Sequence, residues 1–210
     1  MSFDEKLFTW INNLGGHVGF IDFIAGCLAN DYFMLVAMCL VLVGMWFSVS
    51  NPESRSRNQL AVLKAMASMA TASGFASIPV VAIVGKEQHA HTWIYAVFNR
   101  PRPFEVFGPS VVHHFYFPHD PSFPSNMAAA SFGLALAVWL MNRRIGTWLL
   151  LMASLVCLSR IYVGIHYPSD ILGGFLVAVV AVGVIYFMFW LCKVLLRLVL
   201  WIMKNLYVMG

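Results

Sequence analysis

Apolar residues along the chain gather into long runs with helical spacing, separated by short polar turns. Residues 3–14 (FDEKLFTWINNL) place Phe3, Leu7, Trp10, Ile11 and Leu14 on one stripe. That stripe predicts a short amphipathic helix on a membrane surface, with Trp10 at headgroup level and Gly15-Gly16 as its end. Phe20–Leu28, which carries Asp22, reads as a second short interfacial or re-entrant piece. Longer runs follow at Tyr32–Val49, Leu60–Gly85, Ser125–Met141, Thr147–Gly164 and Ile171–Cys192. At 1.5 Å per residue each of the last three reaches roughly 25–33 Å, close to a hydrocarbon thickness of about 30 Å. The pattern predicts an all-α integral membrane bundle of about five to six transmembrane helices with short interfacial helices. It forms one domain over residues 1–210. The tail after Cys192 either prolongs the last helix or lies along the surface.

Composition supports this. Of 210 residues, 60% are hydrophobic and 10% charged, with a mean hydropathy of +0.78. A soluble domain carries roughly 25% charged residues. The four cysteines lack a C-x2-C spacing, so neither a zinc site nor a disulfide framework is expected. Residues 1–6 show no basic segment leading into a cleavable apolar core, and no signal peptide is expected. The second long run is crowded with small residues (Ala65, Ala67, Ser68, Ala70, Ala72, Ser73, Gly74), which suits close helix packing.

Charge orients the bundle. With five spans, Arg55, Arg57, Arg143, Arg144, Lys193, Arg197 and Lys204 share one side, which is expected to be cytoplasmic. The long polar loop 86–124 and the His166–Asp170 junction then face outward. That loop still holds Lys86, Arg100 and Arg102, a departure from the charge rule that points to another use for them.

Three distant segments reach that outer face: Arg100-Pro101-Arg102-Pro103, Phe123-Pro124-Ser125-Asn126, and Arg160 with His166 and Asp170. Arginine forks pair bidentately with phosphate oxygens, and the prolines beside Arg102 stiffen the backbone that aims it. Pro124-Ser125-Asn126 reads as a helix start, whose free N–H groups bind anions. His166 is either a nucleophile or a general acid/base, with Asp170 fixing its tautomer and charge. The chemistry is that of a phosphate site.

Arg102-Pro103, Pro124-Ser125-Asn126 and Ser159-Arg160-x5-His166-x3-Asp170 resemble, in order, the three signature segments of the type 2 phosphatidic acid phosphatase superfamily. Asp120-Pro121-Ser122-Phe123-Pro124-Ser125-Asn126 and the doubled Arg-Pro look most like its undecaprenyl-diphosphatases of the bacitracin-resistance type. The resemblance implies that His166 attacks phosphorus to form a phosphohistidine, assisted by Asp170. Arg100, Arg102, Arg160, Ser125 and Asn126 would hold the phosphate. No metal or cofactor is implied, and no nucleic acid. The partners would be membrane lipids and an isoprenoid or other lipid phosphate, in a bacterial cytoplasmic membrane with the site facing outward.

Two departures stand out. A lysine is usual seven residues before the first arginine, where this chain has Tyr95; Arg100 could replace its charge. The second segment usually ends in a histidine that protonates the leaving group, where this chain has Met127. A thioether donates no proton, and loss of a general acid costs roughly 10²–10⁴-fold in rate. The chain is therefore expected to be impaired unless His113, His114 or His119 substitutes.

Other readings are a phosphatidate or phosphatidylglycerol-phosphate phosphatase, a catalytically silent binder of lipid phosphates, and a small transporter. Clustering of the charges at one face speaks against transport. Locally, Arg160, His166 and Asp170 could be a structural clamp, Met127 ordinary packing, and His113, His114, His119 and Asp120 a metal site.

Overall fold

The computed structural model describes residues 1–48, 51–84, 98–111, 118 and 120–208, all without a strand. The helices are α1 (Phe3–Asn12), α2 (Gly19–Ala29), α3 (Phe33–Phe47), α4 (Pro52–Val84), α5 (Pro103–Phe107), α6 (Asn126–Met141), α7 (Arg143–Tyr162) and α8 (Pro168–Val208), with a 3-10 turn at Gly108–Ser110.

Alanine and glycine decide the centre of the bundle. α6 (NMAAASFGLALAVWLM) is buried on every side from Met127 to Ala135 and packs against α4, α7 and α8. A helix apolar all round belongs inside, and small residues let its neighbours close in. On α4 the expected small residues do this: Ala65, Ser68 and Ala72 are fully buried. A Cβ added at Gly133 of α6 would stand 3.1 Å from both the Ser68 carbonyl oxygen and Ala72 Cβ.

The helices fall close to the expected runs, but fewer than five of the described ones are long and apolar enough to cross a membrane. Pro52–Ile78, Arg143–Tyr162 and Pro168–Trp201 are each long and apolar enough to cross a membrane. α2 and α3 qualify only together, bent by 62°. At the bend, the Asn30 side chain accepts from the amides of Tyr32 and Phe33. α6 has only 16 residues. Its N-terminus is recessed: the segment before it is non-helical, with Ser122, Pro124 and Ser125 already buried. Irregular backbone inside a membrane bundle is tolerable where it is covered by protein or lines a cavity. Here it lines one.

α1 lies against the same end. Ser2 and Glu5 close a capping box at its start. Phe3 and Trp10 of the predicted stripe are exposed, as a lipid-facing surface would be, while Phe8 and Asn12 turn inward. The tail prolongs the last helix to Val208.

Candidate active site

The end of α7 is shaped to return the chain over its own last turn. Gly164 takes a positive φ of 81°, which glycine adopts without strain. The amides of Ile165 and His166 then both reach the Arg160 carbonyl, at 2.9 and 3.3 Å. This carries the His166 ring into the bundle, 2% exposed.

There the ring meets the recessed segment before α6. His166 Nδ1 lies 3.0 Å from the Ser122 carbonyl oxygen. A carbonyl only accepts, so Nδ1 carries the proton and Nε2 keeps its lone pair. Nε2 lies 3.3 Å from Arg102 Nη1, beside a cavity of about 250 Å³. Burial pushes the His166 pKa down to about 4; Asp170 opposes the shift, while the Arg102 and Arg160 charges reinforce it. The imidazole is neutral at physiological pH.

Arg102, Arg160, Asn126, Met127 and His166 all line this cavity, together with Asp31, Asp120 and Ser73. Both arginines are 3% exposed. Buried guanidinium charges need partners. Arg102 donates through Nε to the Asp120 carbonyl oxygen at 2.8 Å, through Nη2 to Asp120 Oδ1 at 2.9 Å, and through Nη1 to the Ile165 carbonyl at 3.2 Å. Arg160 Nη1 donates to the Ala29 carbonyl oxygen at 2.8 Å and to Asp31 Oδ1 at 2.6 Å. The bend between α2 and α3 thus anchors Arg160, whose Nε is buried without a hydrogen-bond partner.

Other expected site residues sit behind the cavity wall. Asp170 is fully buried and its nearer oxygen lies 3.7 Å from His166 Nδ1, beyond hydrogen-bond reach. The Ser122 carbonyl, at 3.0 Å, is thus the nearer partner of Nδ1, with Asp170 behind it. Asp170 Oδ2 accepts from Ser122 Oγ at 2.6 Å and from the Tyr167 amide at 2.8 Å, and Oδ1 from Arg100 Nη1 at 3.0 Å. Arg100 does not line the cavity. Its guanidinium is spent on Asp4, Ser169 and Asp170, and stacks 3.7 Å above the Tyr167 ring. Ser125 is buried as the N-cap of α6, accepting from the Ala128 amide, while its own amide bonds to the Asp170 carbonyl at 3.0 Å. Asn126 bonds Ser73 and Ser77 of α4. Met127 packs on Met34 and Val156 with one side to the cavity. Tyr95, His113, His114 and His119 lie outside the described residues.

Sequence reasoning passed over Asp4, Asp31 and Ser122. Ser122 lies within the Asp120–Asn126 segment, so its signal was present. Asp4, beside Glu5, and Asp31 are acids at the edges of apolar runs, and only the folded chain assigns them partners.

Residues of all three segments thus line one cavity. The sequence profile described as PAP2 superfamily matches residues 61–193. The chain belongs to the PAP2 superfamily. It is 30% identical over 188 residues to the undecaprenyl-diphosphatase BcrC of Bacillus subtilis (strain 168), covering 88% of this chain and 82% of that protein. A Bacillus licheniformis relative named bacitracin transport permease protein BcrC is 28% identical, covering 90% and 82%. The putative undecaprenyl-diphosphatase YbjG of Escherichia coli (strain K12) is 37% identical over 86 residues, 40% of this chain and 42% of that one. Among solved structures, Aquifex aeolicus LpxE matches at a TM-score of 0.60 and 22% identity, covering 89% of this chain and 96% of its own. A PAP2-type phosphatidylglycerolphosphate phosphatase from Bacillus subtilis matches at a TM-score of 0.54 and 17% identity, covering 90% and 87%. These two speak for the fold. The chain is an integral membrane protein of a lipid-phosphatase family and a homologue of undecaprenyl-diphosphatase.

Proposed function

We propose that this chain takes undecaprenyl diphosphate to undecaprenyl phosphate and inorganic phosphate, through a phosphohistidine on His166. The observation that carries the reading is the pairing of a neutral, lone-pair-bearing Nε2 with two buried guanidinium groups around one cavity. Nε2 attacks the terminal phosphorus, and the bond from that phosphorus to the bridging oxygen breaks. Water then cleaves the N–P bond. Arg102, Arg160 and the first-turn amides of α6 hold the phosphate oxygens as charge shifts among them, the main work in phosphoryl transfer. Asp170 stabilises the imidazolium that forms.

The diphosphate substrate is favoured by the relation to the Bacillus undecaprenyl-diphosphatase over most of both chains. The leaving group is then undecaprenyl phosphate, whose oxygen needs less help from an acid than an alkoxide does, so a diphosphate tolerates Met127 best. With no acid at position 127 the reaction is still slowed. A silent lipid-phosphate binder is the second reading, and Met127 is what favours it. The site faces outward from a bacterial cytoplasmic membrane: Arg55, Arg57, Arg143 and Arg144 stand at helix ends opposite His166.

Phosphate release from undecaprenyl diphosphate by purified protein in detergent tests the reading. We expect slow release, abolished by His166→Ala and competed more weakly by phosphatidate or phosphatidylglycerol phosphate. Binding without any release would establish the silent binder instead.

A further inference from the structure

The wall behind the cavity is held from outside by the surface helix α1. Asp4 Oδ1 accepts from the Ser169 amide at 3.0 Å, so a carboxylate of α1 caps the first turn of α8. Its Oδ2 accepts from Ser169 Oγ at 2.6 Å and from Arg100 Nη2 at 2.7 Å. Arg100 spends its other nitrogen, Nη1, on Asp170 Oδ1 at 3.0 Å and Ser169 Oγ at 2.7 Å. An apolar contact runs alongside: Phe8 of α1 meets the Tyr167 ring at 5.4 Å, and Arg100 covers that ring. Burial alone would raise the Asp4 pKa, but the bonds from Ser169 and Arg100 outweigh it and hold the carboxyl below its ordinary value.

We infer that Asp4 is a positioning residue for the phosphatase reaction, acting on His166 through Arg100 and Asp170 and so tying chemistry to the seating of α1 on the membrane. The inference rests on the reading of His166 as nucleophile. Asp4 and Asp170 share one arginine, so the trio carries one net negative charge beside the ring. Without the Asp4 charge, Arg100 and Asp170 would cancel, and the imidazolium formed on attack would lose its counter-charge. Among the described residues, the other charges around the His166 cavity are Arg102 and Arg160, each paired there with one carboxylate, Asp120 and Asp31; Glu5 of α1 adds a negative charge near Tyr167. Substrate phosphate touches none of the trio, so the loss belongs to turnover and not to binding. The exposed Phe3 and Trp10 place the same helix where a bilayer surface would hold it.

The test compares the full chain with Asp4→Asn and Asp4→Glu. Asparagine keeps the helix cap and the size but not the charge; glutamate keeps the charge. The His166 ring pKa, read by histidine-labelled NMR in detergent micelles, needs no turnover. It should fall by about half a unit in Asp4→Asn, with kcat reduced roughly 3–10-fold and KM within about twofold. Asp4→Glu should recover most of both. An unmoved ring pKa and kcat in Asp4→Asn overturn the inference, and so does a loss in Asp4→Glu as large as in Asp4→Asn. Hydrolysis surviving in His166→Ala would sink the nucleophile reading whatever Asp4 does. Its disappearance there, with Asp4→Asn unaltered, would sink only the role of Asp4.

Discussion

His166 is held by the backbone carbonyl of Ser122, 3.0 Å from Nδ1, while the carboxylate of Asp170 stands 3.7 Å away. The tautomer is thus written by main chain, and Asp170 is left to act as a field. Ser122 links the two: its carbonyl receives the ring proton and its hydroxyl binds Asp170 Oδ2. Moving the segment before α6 would therefore disturb ring and carboxylate together.

The pH dependence follows from the depressed pKa of His166, about 4 in the folded protein. An unperturbed histidine, near pKa 6.5, is roughly 90% protonated at about pH 5.5. Labelled His166 should still be neutral there, with Nδ1 protonated and Nε2 bare. The sign for stability is also fixed. Between about pH 6.5 and 4 the unfolded chain binds the proton and the folded chain does not, so this group makes stability fall as pH drops through that window. An imidazole titrating near pH 6.5 in the folded protein would contradict the buried, carbonyl-bound ring.

The arginines should divide by position. If phosphate binds in the cavity as proposed, Arg102→Ala and Arg160→Ala should each cost a charge-assisted contact, worth roughly 1.5–3 kcal/mol or about 10–150-fold in affinity. Arg100→Ala should leave affinity for inorganic phosphate near its original value and lower turnover, since Arg100 touches Asp170 and not the cavity. Arg55→Ala, at the far end of α4, should change neither. Calorimetry with phosphate checks all four. An Arg100→Ala loss of affinity as large as that of Arg102→Ala would return Arg100 to the phosphate site.

Arg100 also marks how far the sequence could be read. The helices were legible because lipid-facing runs and polar turns alternate strongly, and the three signature segments were legible because arginine, histidine and aspartate are costly at such places. Which arginine faces the cavity was not legible, because Arg100 and Arg102 carry the same chemistry two residues apart. The division depends on Asp4, ninety-six positions before Arg100, and on Asp120, whose backbone and side chain grip Arg102. The shortness of α6 was legible, since the apolar run Ser125–Met141 matches it to one residue. Its recessed start was not, because Pro124 and Ser125 begin it inside the bundle and apolar periodicity does not record depth.

Helix contact next to the site is equally exacting. A Cβ at Gly174 of α8 would come 2.5 Å from the Ser125 carbonyl oxygen and 2.8 Å from Ala128 Cβ. Gly174→Ala should therefore push the first turn of α6 away from α8. Overpacking of this kind costs about 1–3 kcal/mol. The unfolding midpoint in detergent should fall, and phosphate affinity with it, because Asn126 and Met127 sit on that turn. Gly183→Ala, which meets nothing within 4 Å, is the matched control on the same helix and should be silent. Equal behaviour of the two variants would mean that α8 and α6 are not packed as described.

Met127 is the position where a single substitution should change most. It sits on the first turn of α6, lines the cavity with Arg102, Arg160 and His166, and is 8% exposed. On the proposed mechanism, attack by Nε2 would leave charge on the bridging oxygen of the departing group, and nothing on a thioether could quench it. In Met127→His an imidazole with a pKa near neutrality would stand on the cavity wall, able to donate a proton to that oxygen. Turnover of undecaprenyl diphosphate should rise by roughly 10²-fold, the lower end of what a placed general acid supplies, because the departing phosphate needs less help. Affinity for inorganic phosphate should change little, because the arginines that hold it are untouched. A new basic limb in the pH profile of kcat, absent from the unmodified chain, would identify the added ring as the acid. Fast hydrolysis in the unmodified chain, unchanged by the substitution, would instead mean that the proton already comes from elsewhere, with His113, His114 and His119 the groups to replace next.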